Sequence, residues 1–183
     1  MRLFNSSAGY GALTKLFHWL VVVLFAAQIG SGLVMTRLEE GGQVAGLSGD
    51  DIYNWHKTIG LVALLVALAR IQVRRMGELP PWAPTLTAIE RRIVHRAEQA
   101  LYAAMLIMPI SGFIHVMAGG YGVLLAGLVA LPNPIGKWEA LAELGQVLHM
   151  IGGIALGVAL AAHLGVVLRH TLWLRDGLLR RML

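Results

Sequence analysis

Four apolar stretches constrain the fold of this chain more than any other feature of its sequence. They cover residues 16–35, 55–74, 98–118 and 146–169, and an α-helix needs about 20 apolar residues to cross the hydrocarbon core of a bilayer. The second stretch is the weakest, with a soluble core helix as its alternative, because its uninterrupted apolar run covers only residues 59–69. Since 57% of the residues are hydrophobic, we predict an all-α membrane protein in which residues 1–183 form one up-down bundle of four transmembrane helices.

Basic residues are distributed unevenly around these stretches. Of the 15 Lys and Arg residues, 12 lie in the N-terminal segment and in segments 70–97 and 169–183. The segments on the other side, 36–57 and 119–145, hold three basic and six acidic residues: Arg37, Lys57, Lys137, Glu39, Glu40, Asp50, Asp51, Glu139 and Glu143. By the positive-inside rule both termini are predicted to be cytoplasmic. The basic pI of about 10.1 then follows from membrane topology, and no nucleic-acid partner is expected.

Histidine is the candidate metal ligand in this chain. The sequence has seven His and no Cys, which excludes disulfides, thiolate metal sites and a thioether-linked haem. Two of the histidines, His149 and His163, lie in the last apolar stretch. Fourteen residues of helix span about 21 Å and return to within about 40° of the same face. These two imidazoles are therefore predicted to point in the same direction at opposite depths of the membrane.

The alternating direction of the four helices assigns a depth to each intramembrane histidine. His18 lies early in the first stretch and His163 late in the fourth, so both belong to the cytoplasmic half. His56 and His149 begin their stretches on the outer side and share the outer half. A haem with two axial imidazoles needs ligands from different helices on opposite faces of the ring. The sequence therefore predicts two haem b groups, one ligated by His18 and His163 and the other by His56 and His149.

Other interpretations of these histidines remain open at this point. Zinc fits poorly, because each isolated pair supplies only half of a tetrahedral site. In a haem-free transporter or assembly protein, the same histidines could relay protons or pack helices. Six glycines could either make room for a cofactor or allow close helix packing: Gly30, Gly32, Gly60, Gly152, Gly153 and Gly157. His95, His115 and His170 lie near the membrane interfaces, and no role is assigned to them.

From Tyr10 to Leu183 the chain resembles the bacterial cytochrome b561 family of four-helix di-haem membrane cytochromes. The similarity rests on several pieces in the same order: His18-Trp19, WHKTIG at 55–60, His95 ahead of LYAAMLIMPISG, LPNPIG, the pair His149 and His163, and the tail RHTLWLRDGLLRRML. The family is related to the cytochrome b subunits of nickel-iron hydrogenases and formate dehydrogenases. Any one piece is weak, whereas all of them in order are quite specific.

The resemblance implies a multi-pass cytochrome of the bacterial inner membrane with the same four histidines as haem ligands. It also implies lipid contact and electron exchange with ubiquinone or another membrane quinone. One type in this family resembles a superoxide oxidase, which passes an electron from periplasmic superoxide to quinone. A positive surface would favour an anionic donor, yet the outer segments are acidic. A small periplasmic redox protein or another quinone-linked donor is therefore also expected as an alternative electron source, and no catalytic residue is identified.

Overall fold

The fold is a bundle of four long helices in a computed structural model that describes residues 2–183. The helices are α1 (Ala12–Met35), α2 (Gly49–Arg75), α3 (Ala88–Ala118) and α4 (Glu139–Leu168). Three of them contain the predicted stretches 16–35, 55–74 and 98–118, and α4 contains all of stretch 146–169 except its last residue, Arg169. All four are long and apolar enough to cross a membrane. The hydropathy of α2 is the lowest of the four, as its interrupted apolar run predicted. The expected all-α membrane bundle is confirmed.

Local sequence signals define where α2 and α3 begin and end. Each starts with a capping box, in which Ser48 pairs with Asp51 and Thr87 with Glu90. Such boxes satisfy backbone N–H groups that a first helical turn leaves free. The intervening segment, 76–87, contains three prolines, which lack the backbone donor that a continuing helix needs. The two helices are therefore separate, as the sequence predicted.

The four helices pack in two close pairs. Helix α1 packs against α2 and α3 against α4, and α2 also contacts α3. At the outer end of the α3–α4 pair, a Cβ added to Gly145 would lie 2.7 Å from the backbone nitrogen of His115. His115 Nδ1 also lies 3.0 Å from the carbonyl oxygen of Ala142. Small residues let membrane helices approach closely in this way, so α3 and α4 form one closely packed half of the bundle.

Two short antiparallel hairpins cover the outer end. The first joins β1 (Gln43–Val44) to β2 (Leu47–Ser48), and the second joins β3 (Leu124–Leu125) to β4 (Val129–Ala130). The second hairpin lies against the start of α2, where the Ala126 backbone N–H donates to Thr58 Oγ1 over 2.9 Å. From its apolar composition this segment was predicted only to lie at the interface. The structure shows in addition that this segment forms a hairpin, which lies over the outer end of α2.

The C-terminal segment folds back under the inner end of the bundle. Helix α4 continues as a π-helical segment, Arg169–Leu174, followed by a 3-10 helix, Leu178–Met182. The Trp19 indole N–H donates to the Met182 carbonyl over 2.8 Å, so this segment lies beside the start of α1. The two ends of the described chain therefore lie on the same side of the bundle, as an even number of spans requires.

Candidate functional site

The structure brings the four intramembrane histidines together as two pairs. The ring centres of His18 on α1 and His163 on α4 are 6.4 Å apart, and those of His56 on α2 and His149 on α4 are 6.3 Å apart. All four side chains are half-buried. These are the pairs that topology assigned to the inner and outer halves. Whether the rings bind iron is a separate matter, and their role as ligands stays a prediction.

The ring spacing fits two imidazoles on opposite sides of one metal ion. A metal–nitrogen bond of about 2 Å, added to about 1.2 Å from that nitrogen to its ring centre, separates two axial ring centres by about 6.4 Å. Both observed spacings agree with this value, and each pair joins one helix of the α1–α2 half to α4. A planar group between the two halves of the bundle would thus meet one imidazole on each face.

The donor set of each pair suits a metal whose other ligands come from a macrocycle. Among residues 2–183, no group of three or more His, Cys, Asp or Glu side chains is arranged to hold a metal ion. Each pair would therefore provide two nitrogen ligands and leave the remaining positions to the bound group. Tetrahedral zinc needs about four ligands, usually from the protein, whereas haem iron takes its four equatorial nitrogens from the porphyrin. The residues present fit haem.

In the outer pair, hydrogen bonds orient both rings. His149 Nδ1 lies 2.8 Å from the carbonyl oxygen of Met108, which can only accept, so Nδ1 carries the proton. His56 Nδ1 lies 2.8 Å from Ser31 Oγ, whose own hydroxyl donates to the Gln28 carbonyl. Partners of this kind fix the tautomer of a metal-binding histidine and raise its basicity. Both outer rings therefore keep the Nε2 lone pair free for a metal.

The inner pair is placed differently. The His18 ring packs edge-on against Trp19, with ring centres 5.5 Å apart. Arg70, on α2, lies near enough for its charge to act on both His18 and His163. The guanidinium of Arg70 donates from Nε to the Tyr102 hydroxyl over 3.2 Å. The Glu98 carboxylate also acts on His163, more strongly than Arg70 does, so charged groups of both signs stand near the inner pair, whereas the outer pair is oriented by neutral groups.

Some of the glycines that could make room for a cofactor lie at close helix contacts, and others face open space. A Cβ added to Gly152 would lie 2.8 Å from Met108 Sδ, so this glycine allows α3 and α4 to pack closely. A Cβ added to Gly32 would lie 3.6 Å from the His56 ring. Gly30 and Gly157 have no described atom within 4 Å of that position. Close packing and open space are therefore both present, at different glycines.

The three remaining histidines have separate environments. His95 is exposed, and His115 bonds to the Ala142 carbonyl within the α3–α4 pair. His170 is fully buried, with Nδ1 2.5 Å from Asp176 Oδ2 and Nε2 3.2 Å from Glu90 Oε1. Arg169 also pairs with Glu90. These contacts make His170 part of a buried ionic cluster that anchors the C-terminal segment.

Sequence reasoning did not identify the groups that orient the outer rings. Ser31 is one of several small residues near the end of its span, and nothing in its sequence position marks it as a partner of His56. The Met108 carbonyl is a backbone group that any residue would supply at that position. These two contacts depend on the rotation and depth of neighbouring helices, which hydropathy does not specify.

Comparison with known proteins covers almost the whole chain. A sequence model of the family described as prokaryotic cytochrome b561 matches residues 9–183. Cytochrome b561 homolog 2 of Escherichia coli (strain K12) is 25% identical over 187 aligned residues, which cover 100% of this chain and 95% of that protein. Both matched ranges span all four helices and the positions of the four paired histidines.

Proposed function

The chain belongs to the prokaryotic cytochrome b561 family, and from this premise we propose that it carries electrons through two haem b groups between the outer face and the membrane quinone pool. Membership in the family identifies it as a haem b electron-transfer protein of the bacterial inner membrane. We assign His18 and His163 to an inner haem and His56 and His149 to an outer haem. Residues 1–183 would act as one electron-transfer domain.

One observation carries this proposal, namely that two histidine pairs share the same ring spacing. The spacings of 6.4 Å and 6.3 Å both suit an iron between two imidazoles. Packing histidines would have no reason to occur twice at this separation. The donor sets also agree, since each pair leaves the equatorial positions to a porphyrin.

The role of the protein in this function is to position the haems and adjust their electronic properties. A bound haem supplies reversible one-electron chemistry at its iron. Two imidazoles would fill both axial positions, so the histidines favour electron transfer over the binding of oxygen. Ser31 and the Met108 carbonyl hold His56 and His149 in the tautomer that can bind iron. The apolar helices around the pairs would provide a low-dielectric environment that influences the redox potential.

The outer surface gives information on the electron donor. Its segments hold six acidic and three basic residues, and the Lys57 ammonium beside His56 donates to the Gly122 carbonyl over 3.1 Å. An anionic donor such as superoxide would have to approach against this charge excess. A cationic face on a small periplasmic redox protein would be attracted by it. Both donors are consistent with family membership, and superoxide is the one that a simple assay tests directly.

Absorption spectroscopy of the purified protein tests the haem assignment. We expect a reducible Soret and alpha band and about two haems per chain. His149→Ala and His163→Ala should each remove about one haem, because each variant leaves one intact pair. His95→Ala is the matched control, since His95 is exposed and should retain both. If both variants keep both haems, the ligand assignment is contradicted.

A second assay tests the enzymatic part of the proposal. The protein in liposomes with ubiquinone is supplied with enzymatically generated superoxide, and quinol formation is followed with and without protein. A rate above the uncatalysed background supports a superoxide oxidase activity. A background rate, with both haems still reducible by dithionite, would leave the protein as an electron-transfer subunit for another donor.

A further inference from the structure

Three buried donor groups at the inner end of the bundle have no partner within residues 2–183. They are Asn5 Nδ2, Thr14 Oγ1 and Arg70 Nη1. All three residues line the same small cavity, which has a volume of about 30 Å³. A buried polar group without a hydrogen bond costs about 1–3 kcal/mol, so three in one place point to a bound group. We call these three residues the inner donor cluster.

The chemistry of the inner donor cluster selects an anionic acceptor. An amide nitrogen and a guanidinium nitrogen can only donate, and the threonine hydroxyl can donate as well. One water molecule could accept from the two nitrogens and donate to the threonine hydroxyl, but it would leave the Arg70 charge unpaired, whereas a carboxylate offers about four lone pairs and a negative charge. The cavity is about as large as the space of one water in the liquid. Its size therefore suits an end group that projects from a larger ligand.

Neighbouring charges leave Arg70 without a carboxylate partner, although two arginines and one carboxylate, Arg70, Arg74 and Glu98, line the cavity. Arg74, one turn beyond Arg70, pairs with Glu98 at 2.5 Å, so the charge of that carboxylate is already neutralised. Arg70 itself is held by Tyr102, through the Nε bond and with its guanidinium carbon 5.5 Å from the ring centre. A charge near the membrane is costly unless it is paired. Arg70 is thus held by Tyr102, while its buried Nη1 has no acceptor among residues 2–183.

The location identifies which ligand would supply the carboxylate. Thr14 precedes His18 by four residues on α1, so the two lie on the same face one turn apart. Asn5 comes before α1 begins at Ala12, so it lies still farther towards the inner end of the bundle than Thr14 does. The inner donor cluster therefore lies on the aqueous side of the inner histidine pair. Haem b carries its two propionate carboxylates on one edge, and that edge would face this side.

We propose that Asn5, Thr14 and Arg70 bind one propionate of the inner haem. This inference rests on the proposed function, since it presupposes a haem between His18 and His163. Binding would satisfy all three donors at once and would neutralise Arg70. It would also join the N-terminal segment, α1 and α2 through the cofactor. The arginine charge would stabilise the reduced form of this haem over its oxidised form.

The test uses holoprotein from cells fed 5-aminolevulinate labelled with ¹³C at the carboxyl carbon, which labels the haem propionates. Redox-difference infrared spectra are recorded for the wild type, Arg70→Gln and Thr14→Val, with Arg75→Gln as the matched control. Arg75 ends α2 and is exposed. We expect one labelled carboxylate band to shift in the first two variants and no band to shift in the control. A redox titration should show the midpoint potential of one haem fall in Arg70→Gln and that of the other remain unchanged.

Several outcomes would overturn the proposal. Labelled bands that are identical in all variants would mean that the inner donor cluster holds an ordered water only. A shift confined to phosphate bands would assign it to a lipid headgroup. If Arg70→Gln fails to fold, Thr14→Val still decides, because it removes one hydroxyl at nearly constant volume. A wild-type protein without haem would instead refute the proposed function, which the haem content measures separately.

Discussion

Substitution of Gly112 by alanine is predicted to perturb the outer histidine pair without touching the inner one. Gly112 lies on α3, one turn after Met108, and an added Cβ would lie 3.0 Å from both Cε1 and Nδ1 of His149. Ordinary contacts begin at 3.4 Å, so the ring must move by about 0.4 Å, the difference between these two distances. The ring is short and rigid, and it cannot avoid the methyl group by rotating one terminal atom.

The structure gives the size of the expected effect. Movement away from α3 by about 0.4 Å lengthens the bond from His149 Nδ1 to the Met108 carbonyl from 2.8 Å to about 3.2 Å, the long limit for such bonds. Overpacking of this kind costs about 1–3 kcal/mol. Loss of a partner that orients a metal ligand weakens metal binding by about 10- to 100-fold. The outer haem should therefore dissociate more readily in Gly112→Ala.

Haem content and low-temperature electron paramagnetic resonance spectra measure this effect. In Gly112→Ala, detergent washing should lower the haem content from about two per chain towards one, with loss of one of the two low-spin signals. Gly165→Ala is the matched control, because it adds the same methyl group on α4 where no described atom lies within 4 Å. Equal haem content and equal spectra in the two variants would refute the predicted contact between residue 112 and the His149 ring.

Three further predictions concern other contacts. Ser31→Ala removes the acceptor of His56 Nδ1 and should weaken retention of the outer haem by about 10- to 100-fold, whereas Ser31→Thr should restore it; haem titration measures both. Gly145→Ala places a Cβ 2.7 Å from an α3 backbone nitrogen and should destabilise the bundle by about 1–3 kcal/mol, seen as a lower melting temperature. A hydrogen bond from His170 lowers the pKa of Asp176. The stabilisation that this bond provides is therefore present above the usual carboxyl pKa of about 3.9 and is lost as the pH falls through the lowered value. Proteolysis of the C-terminal segment should increase at that low pH in the wild type, whereas Asp176→Asn should be cleaved at every pH.

Much of the fold could be predicted because the membrane imposes few solutions. Each apolar stretch had to be a helix, and the asymmetry of basic residues fixed the direction of each one. Direction alone then placed His18 level with His163 and His56 level with His149. The structure brings these same rings within 6.4 Å of each other. The depth of a residue along a helix depends only on its position in the sequence, so the depth of each histidine could be predicted from the sequence.

Contacts that depend on helix rotation or on loop backbone could not be predicted in the same way. The bond from His149 to Met108 requires a particular facing of α3 and α4, and a carbonyl has no sequence signature. The outer hairpin was expected only as an interfacial segment, since its pairing of Leu125 with Val129 follows from turn geometry. His170 was assigned no role because its partner Glu90 is 80 residues away in the chain.

The shared position of His149 and His163 on α4 has a consequence for how this chain tolerates change. Because one continuous helix carries both residues, its rise of about 1.5 Å per residue sets the distance between the two pairs. An insertion in a loop would leave that distance untouched. One residue inserted between positions 149 and 163 would turn the second ring by about 100° and lengthen the separation by one rise. The loops of this protein can therefore change in length while the spacing of its two histidine pairs stays constant.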